Sequence, residues 1–232
     1  KIICVSHGVA DGLLDKVSLR RSKIAVINNP VRKFNTGQDD LERINRALDF
    51  WRTGQNKLLH VGRLAKQKNI PLLLEAVARM REKHQVRLLI VGEGPERENL
   101  EHIIKNRQLS RNVLLAGNFL NPSPFYLEAD LFVMSSSSEG FGNVLIEAMS
   151  FGVPVVSTDC LSGPAEILEQ GRWGTLVPVN DCASLTKAII KSLNIVHDKD
   201  GIRSRAMDFS PSKIADKYLE LIEKTRARGR NQ

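Results

Sequence analysis

From residue 57 to residue 177 the chain repeats one pattern: a short run that is almost wholly apolar, then a longer stretch whose apolar positions recur at helical spacing. A strand that is apolar at nearly every position must be covered on both faces, and a parallel sheet wrapped by crossover helices provides that cover. The runs at 57–61, 86–91, 112–116, 131–134, 154–157 and 175–177 are therefore expected strands. Between the first two, Leu72, Leu73, Ala76, Val77 and Met80 share one helical face, while Glu75 and Arg79 stand four apart on another. A second helix is expected to open at Gly94-Pro95 and turn Leu100, Ile103 and Ile104 inward. A third follows Asp181, which suits an N-cap. The fold class this spells is α/β, a Rossmann-like doubly wound parallel sheet.

With 232 residues and 42% hydrophobic content, the chain can bury one substantial core. No apolar run reaches the ~18 residues of a membrane-spanning helix, and the opening KIICVSHGVADG is too short and too polar for a signal peptide. Neither a spanning nor a secreted protein is expected. Cys4, Cys160 and Cys182 are odd in number and widely spaced, which suggests neither a disulfide framework nor a zinc site and fits a reducing, cytoplasmic setting. The net charge of +8 admits nucleic acid, anionic lipid or a phosphorylated small molecule. Aromatic residues make up only 5% and no basic stripe interleaves with them, which argues against nucleic acid.

Two flanks stand apart from the repeating core. Residues 1–30 read as strand, helix and strand closed by Asn28-Asn29-Pro30, and a polar connector is expected over 31–56. The core then occupies 57–205. Residues 206–232 hold a last helix, with Ile214, Tyr218, Leu219 and Ile222 on one side, and the basic run 224–230, which reads as a solvated end. The chain opens on Lys1 within an apparent strand, as a fragment of a longer protein would.

Ligands of an open parallel sheet bind beyond the carboxyl ends of its strands. Two loops there carry chemistry. In VGRLAKQKN, Gly62 permits a tight turn, and Arg63 and Lys68 put a forked guanidinium and a point-charge ammonium before a helix, a combination suited to a diphosphate. Solvated surface charge is the ordinary alternative for both. In SSSSEGFGNVLIEAM, Glu139, Gly140, Phe141, Gly142 and Asn143 turn into a helix beginning near Asn143 or Val144, whose free amides form an anion site. Glu147, one turn inside, suits vicinal hydroxyls such as those of a ribose, and Glu139 a second polyol. Eight residues of helix would span about 12 Å at ~1.5 Å per residue, beyond the roughly 5 to 9.5 Å between paired glycosidase carboxylates. Two hydroxyl clamps on one extended ligand is the better reading.

Other motifs are weaker. VGEGPER has Arg97 where the dinucleotide fingerprint needs its third glycine. Asp198-Lys199-Asp200 spells the D-x-D of metal-dependent sugar transferases but sits in a polar turn, and no metal is expected there. Metalloprotease, serine-elbow and P-loop motifs are absent.

Taken together, VGRLAKQKN and EGFGNVLIE followed by AMSFGVPVVSTD resemble the retaining GT-B glycosyltransferases of group 1, or family four, over most of the chain. The resemblance implies the C-terminal, donor-binding half of a GT-B fold at 57–205, the last βαβ of the N-terminal acceptor domain at 1–30, an interdomain connector at 31–56, and a C-terminal helix crossing back at 206–232. It implies that Gly62, Arg63 and Lys68 meet the donor diphosphate, the two cations stabilising charge on the leaving group without a metal or cofactor. Glu139 with Gly140 and the amides of Phe141, Gly142 and Asn143 would meet the transferred sugar, the amides of Val144 and Leu145 the phosphate, and Glu147 the ribose, with Phe119 bordering the base. A UDP-hexose or UDP-N-acetylhexosamine is the implied donor, a glycan or lipid-linked molecule the acceptor, and the anionic inner membrane face a place of peripheral attachment. The family's N-terminal glycine-rich loop and reacting-centre histidine have no counterpart, His7 included. Donor binding without transfer by the isolated chain is therefore expected. A non-catalytic sugar-nucleotide sensor is the alternative, since it would need the same residues.

Overall fold

The computed structural model describes residues 1–32, 34 and 41–229. Its first unit is β1 (Ile2–Cys4), α1 (His7–Lys16) and β2 (Ile24–Val26), the two strands pairing in parallel. After α2 (Leu41–Arg52) come β3 (Asn56–Val61), α3 (Ile70–Met80), β4 (Val86–Val91), α4 (Arg97–Asn106), β5 (Val113–Gly117), α5 (Ser123–Glu128) and β6 (Leu131–Met134). The chain continues through α6 (Asn143–Ser150), β7 (Val155–Thr158), α7 (Pro164–Ile167), β8 (Thr175–Val177), α8 (Cys182–Leu193), α9 (Lys199–Ala206) and α10 (Pro211–Gly229). Strands β3 to β8 form one six-stranded parallel sheet in the order β5-β4-β3-β6-β7-β8.

Alternation along each strand divides the core. Leu58, Leu88, Ile90, Leu131 and Val133 face α3, α4 and α8. Leu59, Leu89, Val91, Phe132 and Met134 face α2, α5 and α6. Both faces are covered, so the central strands are largely apolar, with His60 of β3 a buried polar exception. The winding starts at β3, runs outward through β4 and β5, then returns to the other side of β3 at β6. The reversal leaves the loops after β3 and β6 side by side at the sheet's carboxyl edge, where such folds bind ligands.

Several local expectations change. Residues 41–52 are helical: Ile44, Ala47, Leu48 and Trp51 are buried against the sheet, and the Trp51 indole donates to the Arg87 carbonyl at 2.9 Å. Their helical spacing is diluted by charged residues, which made the segment look like a connector; positions 33 and 35–40 of that connector lie outside the described residues. Leu74 rather than Leu72 completes the buried face of α3, and Ile103 is only half-buried on α4, which begins at Arg97 after the Gly94-Pro95 turn. Beyond its first turn α10 does not bury its apolar side: Ile214 is 3% exposed, but Tyr218, Leu219 and Ile222 are 39%, 58% and 46% exposed. Positions 230–232 of the basic end lie outside the described residues. Asp181 caps α8, accepting from the Ser184 amide at 2.9 Å.

The small N-terminal unit docks on the large sheet through polar contacts. Ser6, fully buried, caps α1 by accepting from the Val9 amide at 3.1 Å and donates to the Gly140 carbonyl at 2.8 Å. The Glu166 carboxylate accepts from the His7 amide at 2.9 Å and from the Asn28 side chain at 2.6 Å.

Candidate functional site

The loops after β3 and β6 are stitched together by the serine run. The Ser137 amide donates to the Gln67 carbonyl at 2.8 Å, and the Ser135 hydroxyl to the Lys68 carbonyl at 2.9 Å. Across this seam Lys68 Nζ and Glu139 Oε1 stand 2.6 Å apart, both nearly sealed from water. The Ser136 hydroxyl donates to the same Glu139 oxygen at 2.6 Å, and Thr158 fixes that serine by donating to its carbonyl at 2.6 Å. The sequence reading treated these serines as a plain exit loop. Their partners come from a loop some seventy residues earlier, which no local spacing signals.

Gly142 opens α6 at φ 97°, in the left-handed region that glycine reaches without strain. The Leu145 amide already donates to the Gly142 carbonyl at 2.9 Å, whereas the amides of Phe141, Gly142, Asn143 and Val144 find no acceptor among the described residues. Those donors, with the positive end of α6, have the chemistry to accept an anion. The Phe141 ring is buried against Phe209 with ring centres 5.6 Å apart, so its main chain is what the site can use. Gly163 supports this loop from below: a Cβ there would lie 1.7 Å from the Phe141 carbonyl oxygen.

Two clefts open on either side of the α6 tip and share Val144. One, of about 270 Å³, is lined by Lys68, Glu139, Gly140, Phe141, Gly142 and Asn143, with Val5 and Asn29 from the small unit. The other, of about 390 Å³, is lined by Arg32, Gly62, Arg63, Gly92, Asn118, Phe119 and Glu147, among others. The two carboxylates thus serve separate clefts. Arg63 is exposed and has no ion-pair partner among the described residues. Phe119 is 6% exposed, with the Arg43 guanidinium 4.6 Å from its centroid and Phe125 edge-on at 4.9 Å; little of the ring is left to stack on a base.

Glu147 is 8% exposed and accepts from the fully buried Tyr126 hydroxyl at 3.0 Å. Burial raises its carboxyl above the ordinary range, while the Tyr126 hydrogen bond and the nearby Arg32 guanidinium pull it back. His60, fully buried under Gly62, is held neutral by desolvation, its affinity for a proton lowered to about 4. Its Nδ1 meets the Val133 carbonyl at 3.0 Å. Sequence reasoning missed Arg32, Asn29, His60 and Tyr126, since none lies in a recognisable motif. Asp198 and Asp200 are occupied locally, the first capping α9 through the Gly201 amide at 2.9 Å and the second pairing with Arg203 at 2.7 Å. Among the described residues no group of three His, Cys, Asp or Glu side chains could hold a metal ion.

A six-stranded doubly wound parallel sheet with a glycine-led helix tip at its switch point defines a Rossmann-like α/β unit. Residues 43–206 match the family model for glycosyl transferases group 1, and the chain belongs to that family. It is 32% identical over 225 residues to a Campylobacter jejuni N-acetylgalactosamine-N,N'-diacetylbacillosaminyl-diphospho-undecaprenol 4-alpha-N-acetylgalactosaminyltransferase, covering 94% of this chain and 58% of that protein. It is also 32% identical over 226 residues to the lipopolysaccharide core biosynthesis glycosyltransferase LpsE of Rhizobium meliloti, covering 95% and 63%. Among solved structures, a Rickettsia africae glycosyltransferase superposes with a TM-score of 0.83 at 21% identity, over 97% of this chain and 63% of that one. Anabaena HepE, solved in complex with UDP, superposes with a TM-score of 0.80 at 23% identity, over 96% and 63%. The fold is that of GT-B glycosyltransferases. The chain spans less than two thirds of the length of each of these proteins.

Proposed function

We propose that this chain is the donor-binding part of a retaining glycosyltransferase that takes a hexose or N-acetylhexosamine from a UDP-sugar. The observation that carries the reading is the convergence of Arg63, the Lys68–Glu139 pair and the free amides of α6 on one switch point. The diphosphate sits at the α6 tip, between Arg63 and Lys68. The uridine extends over the cleft of Glu147, whose carboxylate accepts the ribose hydroxyls, and the sugar enters the cleft of Glu139. As the bond from sugar to diphosphate breaks, negative charge grows on the β-phosphate, and the two cations and the amides stabilise it where it forms. Incoming sugar hydroxyls compete for Glu139, which frees the Lys68 ammonium for the phosphate.

The curated relatives' names include a diphospho-undecaprenol acceptor and lipopolysaccharide core synthesis, which support a glycan or lipid-linked acceptor here. The net charge of +8 supports peripheral attachment to an anionic cytoplasmic membrane face, where such acceptors lie. Titration calorimetry with UDP tests the reading. Replacing Arg63 or Lys68 with Ala is expected to weaken UDP at least about tenfold, each removing a charge-assisted phosphate contact, while uridine affinity is unchanged. Equal loss for uridine and UDP would contradict it.

A further inference from the structure

Arg32 comes from the segment that follows the small N-terminal unit, outside the matched family region, yet it lines the larger cleft. Its Nη2 donates to the Leu120 carbonyl at 3.3 Å, and its guanidinium carbon stands 5.2 Å from the Phe34 ring centre. Leu120 lies in the loop after β5, and Gly92 and Asn118, which line the same cleft, follow β4 and β5. These elements lie on the far side of β3 from the α6 tip, toward the sheet edge. The cations and amides for a diphosphate are gathered at the switch point, so Arg32 overlooks the opposite, nucleoside end of the cleft. Glu147 lines the same cleft.

A guanidinium has five N–H donors and no acceptor. The Leu120 carbonyl engages one of those donors, and no carboxylate pairs with Arg32 among the described residues. We propose that Arg32 selects the base of the bound nucleotide: its remaining donors meet a keto oxygen, so that a base carrying a carbonyl there, such as uracil, is preferred to one carrying an exocyclic amine, such as cytosine. An amine would set donor against donor and leave both unpaired in a partly dehydrated cleft, the situation in which a polar site discriminates most strongly. This inference rests on the nucleotide reading of the cleft given above.

UDP and CDP differ at that position and share ribose and diphosphate, which makes them the test. Calorimetry on the wild-type chain is expected to give UDP about tenfold tighter binding than CDP. With Arg32→Met the two should bind within about twofold of each other, mainly through weakened UDP. Arg32→Gln should also close the gap, because its amide can turn either an oxygen or an NH2 toward the base; unchanged thermal unfolding of both free variants would show that they are folded. A loss of equal size for UDP and CDP would make Arg32 a general anion contact, and an unchanged gap would leave it without a role in the base; either result overturns the inference alone. Failure of the wild-type chain to bind any of the nucleotides would remove the nucleotide reading and this inference with it.

Discussion

Lys68 and Glu139 hold each other at 2.6 Å where both are almost dehydrated, so each is the other's counter-charge until a ligand replaces it. Such a pair adds little net stability, because desolvation offsets attraction, but it fixes both side chains at the seam between the two loops. Beneath them His60 is fully buried, and its Nε2 has no partner among the described residues. A Cβ on Gly62 would touch that nitrogen at 3.5 Å and Lys68 Cε at 3.6 Å, so a third cation there would face the ammonium. The sign of the pH effect follows. Burial lowers the His60 proton affinity from 6.5 to about 4, so between those values the unfolded chain takes up a proton that the folded chain refuses. Stability is lost as pH falls through that window, by about 3 kcal/mol in all. Urea unfolding at pH 7 and pH 4.5 should give a smaller acid loss for His60→Gln than for the wild type. Equal losses would mean that this ring does not titrate as its surroundings require.

At the scale of elements, α6 does most of the positioning. Its tip offers the free amides, and its second turn carries Glu147 into contact with α5 through Tyr126. That hydrogen bond holds down the proton affinity of a carboxyl which burial pushes up. Tyr126→Phe should therefore raise it further and leave less carboxylate to accept ribose hydroxyls. The UDP affinity deficit of this variant, on the order of a lost hydrogen bond of about 1 kcal/mol, is expected to grow as pH is lowered; a deficit independent of pH would count against the role of the ionised carboxylate. The central strands were legible in the sequence because burial on both faces writes itself as a short, mostly apolar run. So was the α6 turn, because glycines beside two glutamates are hard to explain by packing. Helix α2 was not, since its buried stripe of Ile44, Ala47, Leu48 and Trp51 is interleaved with charge. Nor were the Tyr126–Glu147 and Ser135–Lys68 contacts, which join segments whose proximity depends on the order of strands in the sheet.

Across the whole molecule, the small β1-α1-β2 unit and the large sheet meet directly over the site. Ser6 reaches Gly140, Asn29 reaches Asn143 at 3.2 Å, and Glu166 ties the α1 amide and Asn28 to α7. These contacts are polar, unlike the apolar core on either face of the large sheet, so the unit should open more readily than the sheet unfolds. Glu166→Ala is expected to speed amide exchange across residues 2–26 and leave β3 to β6 as protected as before; a uniform change would mean that the two parts unfold together. The central claim, that two loops and one helix tip share a single diphosphate, is tested most directly by a crystal structure of the chain with UDP. The account requires the diphosphate on the amides of Asn143 and Val144, with Arg63 and Lys68 both within hydrogen-bonding reach and the ribose against Glu147. UDP bound elsewhere, for example in the cavity of about 370 Å³ beside Trp173 and His197, or a diphosphate that only one of the two loops can reach, would contradict it.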